Sequence, residues 1–370
     1  MMSINEICME FRRWFALQRI SAKGYLKSFR IPEKPMNQPI DFVVTWVDGN
    51  DPAWRAEKAL YTPSSVKGNS NARYREWNQF MYWFRAVEKY APWVRYVHLV
   101  TWGHLPPWLN TNHPKLKIVN HKDYIPEKYL PTFSSIPIEL NIHRIPGLSE
   151  HFVYFCDDFY LSRPVDPDDF FCGGLPRYSA IADPVRNYRY NGPFVHQQFS
   201  DIGLINGCFD ICSSMEAHPE LWFSKCYGRK RMYNRFAYSS TYLSGMTFTH
   251  LGTPYRKSIL EKVWNECYSE LDDTCTHRFR TPLDYMHQVF SLWEIMSGTF
   301  VPVSEDYYGI KFGTLSRETT KIETAFSSRK HRMICLNDSI DITEDNFMVI
   351  KLALDNILER TFPEKSSFEK

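Results

Sequence analysis

The sequence predicts an α/β fold on a mostly parallel central sheet, with a largely helical insertion. Three observations carry this expectation. Short apolar, β-branched runs alternate with segments of helical period, the pattern of βαβ units. Two of those runs end in acids: IDFVVTWVDGNDP (residues 40 to 52) runs into Asp48 and Asp51, and HFVYFCDDF (residues 151 to 159) ends in Asp157 and Asp158. Finally, strands buried on both faces read as continuous apolar runs, and open sheets of this kind bind ligands outside their strand ends.

Residues 1 to 38 read as a separate arm and linker. Ile4, Ile7, Phe11, Trp14 and Phe15 follow helical spacing, and Arg12, Arg13, Arg19, Lys23, Lys27 and Arg30 make the segment basic. Such a helix can lie on an anionic membrane or pack its apolar face on the main domain, and the pattern leaves both open. Pro32, Pro35 and Pro39 form a stiff connector to the first strand. RYREWNQFMYWFRAVEKYAPWV, residues 73 to 94, reads as a long helix ending at Pro92, followed by the strands RYVHLVTW and LKIVNH. A loop with Pro131, a short helix around Ile138 to His143, and the Asp157/Asp158 strand complete the first half.

Residues 177 to 184 suggest another short strand, and residues 185 to 248 a helical or looped insertion covering the site. Helices are expected at 256 to 270 and 282 to 297, a strand at 331 to 336, and a closing helix at 346 to 360. On this reading the catalytic domain spans 39 to 345, and residues 346 to 370 are a C-terminal helix and tail.

Composition narrows the function. Of 370 residues, 44 are Lys or Arg and 42 Asp or Glu, a net charge of +2 that gives no support to a nucleic-acid binder. The chain has no apolar run long enough to cross a bilayer and no secretory signal at its start, so a cytoplasmic protein is expected. Nine cysteines without a CxxC pair indicate neither a zinc site nor a disulfide framework. The 16% aromatic content leans slightly toward carbohydrate.

The order of motifs resembles the Stealth family. IDFVVTWVDG resembles its first conserved block. RYREWNQFMYWFRAVEKYAPWVRYVHLVTWGHLPPWL, continuing through LPTFSSIPIELNIHRIPGLSEHFVYFCDDF, resembles the second. HLGTPYRKSILEKVWNECYSELDDTCTHRFRTPLDY resembles the third, and ICLND the short fourth. The family includes bacterial capsular polysaccharide phosphotransferases and the animal enzyme that tags lysosomal proteins with N-acetylglucosamine phosphate. The resemblance therefore implies a core like that of the GT-A nucleotide-sugar transferases. It also implies transfer of a sugar 1-phosphate from a nucleotide-sugar, such as a UDP-sugar, to a sugar hydroxyl of a glycan or polysaccharide. The family's second block usually ends in Asn-Asp-Asp; here Cys156 precedes the two acids.

That chemistry assigns expectations to residues. A hard divalent ion, Mg2+ or Mn2+, prefers carboxylates and bridges phosphate oxygens. Asp157, Asp158 and Asp338 are the candidate ligands, with Asp48 at the same strand-end crevice. Neighbouring strand residues point to opposite faces, so Asp158 is expected past the strand end as the stronger ligand. By the third block, His250 is the candidate general base, or a cationic contact to the phosphate, and Arg280 the candidate hydrogen-bond donor to the phosphate. Arg280 could instead form an ion pair with Asp272 or Asp273. Arg73, Arg75, Asn78 and Arg85, with Asn337, are weaker candidates for nucleotide-sugar contacts. Asn337, Asp338 and the strand-end acids are equally good turn formers or caps. A metal-dependent glycosyltransferase and a non-catalytic glycan-binding protein are the alternatives.

Overall fold

The computed structural model describes residues 4 to 62, 74 to 186, 193 to 313, 316 to 338, 342 and 344 to 370. Among these, the chain folds as two compact units, each assembled from separated stretches. The division differs from the one read in the sequence. The N-terminal arm belongs with Phe171–Phe248 and Ser258–Glu305 in a helical unit, and the C-terminal helix belongs with Gln38–Phe170, Thr249–Lys257 and Asp306–Lys370 in a sheet unit.

The strands in chain order are β1 (Ile40–Thr45), β2 (Val97–Thr101), β3 (Leu116–Asn120), β4 (His151–Cys156), β5 (Phe159–Leu161), β6 (Phe171–Cys172), β7 (Leu175–Tyr178), β8 (Thr253–Arg256), β9 (Val301–Pro302), β10 (Gly309–Gly313) and β11 (Met333–Asn337). The sheet unit holds a five-stranded sheet of order β3-β2-β1-β4-β8, parallel except for the antiparallel edge strand β8. A second sheet of order β10-β11-β5 lies in the same unit, with β11 antiparallel to β5 and parallel to β10.

The central strand is apolar because both its faces are covered. Phe42, Val43 and Val44 of β1 and Phe152, Val153 and Phe155 of β4 are fully buried. The start of β1 is pinned by Asp41, whose carboxylate accepts from Arg95 Nε at 2.7 Å, from Ser149 N at 2.9 Å and pairs with His98 at 3.0 Å. Burial alone would raise this carboxyl, but those partners outweigh it and hold it below the usual range. Structural charge therefore sits at the start of the sheet, and the acids discussed below sit at its other end.

The long helix expected from 73 to Pro92 forms, among the described residues, only over Phe80–Tyr90, labelled α3; it follows α1 (Ile4–Ser28) and α2 (Pro52–Tyr61). Asn78 adopts a positive φ of 54°, which breaks the helix before it starts. The end of α3 is locked by the C-terminal segment. Buried Arg85 donates to Glu369 through Nε and Nη2, both at 2.9 Å, and to the Phe362 carbonyl at 2.7 Å. Arg85 is thus corrected from a nucleotide-sugar contact to an internal tie, its fork already filled by carboxylate and carbonyl.

In the helical unit, α1 lays Leu17, Ile20, Gly24 and Ser28 against the helix Pro219–Trp222. Gly24 is required there, since a Cβ would meet the Pro219 carbonyl oxygen at 2.1 Å. Residues 185 to 248, expected as a helical insertion, supply the helices Pro193–Cys208, Ile211–Ala217, Pro219–Trp222 and Arg231–Ser240.

Candidate active site

The site is built where β1, β4 and β11 end. β1 and β4 are parallel neighbours in register at Thr45 and Cys156, so the residues after each emerge at one edge. After β4 the chain turns through Asp157 and Asp158 and enters β5 at once. Both acids therefore lie past the strand end, and the alternation of a regular strand no longer separates them. The Leu336 amide of β11 donates to the Asp158 carbonyl at 3.0 Å, bringing Asn337 and Asp338 to the same turn.

Asp158 is half-buried as a residue, yet its Oδ1 is enclosed and has no hydrogen-bond partner. Its Oδ2 accepts from the Cys335 thiol at 3.6 Å. Ligand-capable atoms of Asp158, His250 and Cys335 lie within 4.8 Å of one another. Exposed His250 stands edge-on to the Phe159 ring at 4.8 Å between centroids. Burial, aided by the Asp338 charge, pushes the Asp158 carboxyl up to about 6 against the pull of Cys335 and Lys311. Asp157 is raised well above the usual range by burial and then by Asp158 and Glu76.

Glu76 is the site residue that the sequence reading missed. Its carboxylate accepts from the Asn78 amide at 2.6 Å and from the Trp46 indole, just past β1, at 3.3 Å. Burial, followed by the negative charge of Asp48, raises its carboxyl despite those bonds. Glu76 thus links Asp48 to Asp157. The approach depends on Gly49, because a Cβ there would meet the Tyr74 carbonyl oxygen at 1.8 Å. Its signal in the sequence is the REWN segment of the second block, where it stands between Arg75 and Asn78. Tyr160 and Lys311 were missed as well. Tyr160 is raised well above its usual range by burial and then by Asp157, Asp158 and Glu76.

The remaining candidates fall as follows. Asp48 accepts from the Asn50 amide through Oδ1 at 2.8 Å, while its own amide donates to His104 Nε2 at 2.8 Å. Asp51 caps α2 through the Trp54 amide at 2.8 Å. Asp338 receives Arg75 Nη1 at 3.3 Å and Trp77 Nε1 at 3.1 Å, so Arg75 is engaged with a site carboxylate. Asn78 presents its backbone to Glu76 and is exposed at the turn. Asn337 ends β11 and donates from Nδ2 to the Asp338 carbonyl at 3.4 Å. Arg73 lies outside the described residues.

Arg280 belongs to the helical unit, whereas Asp48, Asp158 and His250 belong to the sheet unit. Arg280 is exposed on a tightly held segment. Buried Asp284 accepts from the Thr281 amide at 2.7 Å and pairs with His277 Nδ1 at 2.8 Å, and Gln197 donates to the Thr281 carbonyl at 2.7 Å.

Chemically, the sheet unit gathers five carboxylates around one strand-end edge, with His250 and the Cys335 thiol against Asp158. Burial and neighbouring negative charge oppose ionisation of Glu76, Asp157 and Asp158, so a cation is the natural complement. The donor set favours a hard ion. Burial and the neighbouring Asp158 charge hold the Cys335 thiol well above its usual range, which keeps it protonated and a donor to Asp158.

Comparison with known proteins gives the chain's relatives. Three family models match: Stealth protein conserved region 1 over residues 38 to 66, conserved region 2 over 73 to 176, and conserved region 4 over 326 to 370. A capsular polysaccharide phosphotransferase, WcwK, of Streptococcus pneumoniae is 40% identical over 336 residues, covering 90% of this chain and 99% of the relative. A receptor polysaccharide phosphotransferase, WefC, of Streptococcus gordonii is 40% identical over 340 residues, 90% and 100% of the two chains. An exopolysaccharide phosphotransferase, cps2G, of Lactiplantibacillus plantarum is 38% identical over 333 residues, 90% and 96%.

Proposed function

The chain belongs to the Stealth family and is a phosphotransferase, and on that premise we propose that it moves a hexose or N-acetylhexosamine 1-phosphate from a nucleotide-sugar, such as a UDP-sugar, to a sugar hydroxyl of a capsular polysaccharide or exopolysaccharide. The observation that carries this reading is the enclosed, unpartnered Asp158 Oδ1 within a carboxylate cluster beside His250. A mostly parallel sheet with acids past its strand ends is also what a core like that of the GT-A nucleotide-sugar transferases would provide.

In the proposed reaction the acceptor oxygen attacks the phosphorus that carries the sugar. A new P–O bond forms there, the P–O bond to the nucleotide breaks, and the nucleoside monophosphate leaves with that bridging oxygen. The bond from sugar C1 to its oxygen stays intact. His250 takes the acceptor proton, a role that suits an exposed imidazole facing the cluster. Phe159 holds the ring edge-on, and the Cys335 thiol fixes one Asp158 oxygen and leaves the other enclosed without a partner.

Asp157, Asp158 and Asp338 fit a hard divalent cation, Mg2+ or Mn2+, by donor type and by the absence of a partner at Asp158 Oδ1. When bound, the ion would neutralise charge on the phosphate oxygens. Asp48 and Glu76 add negative charge at the same edge and orient the cluster through Asn50, Asn78 and Trp46. The proposed phosphate-binding role of Arg280, and donor contacts from Arg75 and Asn337, rest on the sequence blocks that contain them.

The test is a panel of nucleotide-sugars with a polysaccharide acceptor, scored by the nucleotide released. Release of the nucleoside monophosphate supports the reading. Release of the diphosphate would make the protein a glycosyltransferase, and no metal-dependent turnover with any donor would leave only glycan binding.

A further inference from the structure

Helix α1 has two faces: one is buried in the fold, and the other is covered only in part, around Gln18 and Ser21. Successive helical residues turn by about 100°, which places Leu17, Ile20, Gly24 and Ser28 together against the helical unit. On the opposite side Phe11, Phe15, Leu26 and Phe29 fall within roughly 60° of one another, with Trp14 and Tyr25 beside them. All but Tyr25 are more than half exposed. These are no stray surface residues but two apolar groups on one side of the 25-residue helix, Phe11, Trp14 and Phe15 toward its start and Tyr25, Leu26 and Phe29 at its end.

Charge borders the stripe. Arg12, Arg19 and Lys23 project along one flank at about 80–120° from its centre, whereas the acid Glu10 falls on the side of the buried face. The rest of the helical unit adds to this border. The Arg231 guanidinium lies 4.1 Å from the Tyr25 ring centre, and Lys225 Nζ lies 4.4 Å from that of Phe29. Residues 221 to 248 contain Lys225, Arg229, Lys230, Arg231 and Arg235 and no Asp or Glu. Arg235 ties the two helices by donating to Gln18 Oε1 at 2.8 Å and Ser21 Oγ at 3.3 Å. Exposed Met232 and Phe236, one helical turn apart, extend the apolar surface onto the helix Arg231–Ser240.

We propose that α1 and the Lys225–Phe236 segment form one composite surface that docks the protein on an anionic phospholipid membrane. Charge complementarity selects this occupant. An aromatic stripe seats in the headgroup region, basic side chains at its border meet lipid phosphates, and the helix lies in the interface plane because no described helix is apolar and long enough to cross. Membrane docking would explain why a helix anchored on one side keeps large rings in water on the other. The inference is independent of the reaction proposed above.

Flotation of the full chain with vesicles tests it. The protein should float with phosphatidylcholine–phosphatidylglycerol vesicles, remain behind with phosphatidylcholine alone, and be released at high salt as exposed charges are screened. The triple variant Phe11→Ser, Trp14→Ser, Phe15→Ser should bind anionic vesicles at least ~10-fold more weakly, with an unchanged circular dichroism spectrum. Arg231→Glu, outside α1, should weaken binding in the same direction. Equal flotation of wild type and the triple variant would overturn the proposal. So would a salt-stable dimer that the triple variant dissociates without any vesicle binding, since the stripe would then be a contact between two copies.

Discussion

The Cys335 thiol donates to Asp158 Oδ2 across 3.6 Å, joining the strand of the short fourth block to the acid turn of the second. Blocks separated by more than 170 residues in sequence thus meet at one carboxylate. The other oxygen of that carboxylate is enclosed and has no partner, which makes Asp158 the most exacting position in the sheet unit.

Asp158→Asn should abolish transfer by at least ~10²-fold in kcat, the usual scale for losing one charge-stabilising group in an enclosed site. The fold should survive, because the amide removes an opposed buried charge. Steady-state kinetics and thermal unfolding on the same preparation check both halves.

The pH dependence of stability follows from the same group. The folded Asp158 carboxyl lies near 6, above its unfolded value of about 3.9, so the folded state holds a proton that the unfolded state has lost between those limits. Its contribution to stability is therefore present below the unfolded value and is lost as pH rises from about 4 to 6. Asp158→Asn should remove this part of the slope in a pH series of unfolding midpoints. Saturating Mg2+ should raise the midpoint more at neutral pH than at pH ~5, since a cation binds the ionised form.

Glu76→Gln should lower kcat by at least ~10-fold and raise the Mg2+ concentration needed for half-maximal activity, because it removes one of the charges that face the site. Since burial and Asp48 oppose that charge, the unfolding midpoint should stay level or rise. A fall in midpoint with unchanged kinetics would assign Glu76 to structure alone.

Arg85→Ala should cost about 3–5 kcal/mol in urea unfolding, because buried Glu369 loses the guanidinium that neutralises it. The KM for donor should be unchanged in the folded fraction. A selective rise in that KM would restore Arg85 to the substrate.

Much of the sheet was legible because β1, β2 and β4 are mostly apolar runs, and both acid-tipped ends could be read directly. The short strands β5, β8 and β10 were not, since three to five residues carry no period of their own and form only by pairing with β4 or β11. Glu76 escaped for a similar reason. Its segment has helical period, and only the positive φ of Asn78 and the close passage of Tyr74 over Gly49 turn it toward the acids. Arg85 looked like a ligand contact because sequence cannot show that Glu369 returns from 284 residues away. The arm could not be assigned from its own pattern, as packing through Leu17, Ile20 and Gly24 requires a partner helix that the pattern does not name.

The most direct measurement follows a nucleotide-sugar labelled with 32P at the phosphorus next to the sugar. Phosphotransfer predicts that the label enters the polysaccharide with the sugar, that unlabelled nucleoside monophosphate is released, and that Asp158→Asn stops both. Label left wholly on the nucleotide, with sugar alone incorporated, would contradict the account.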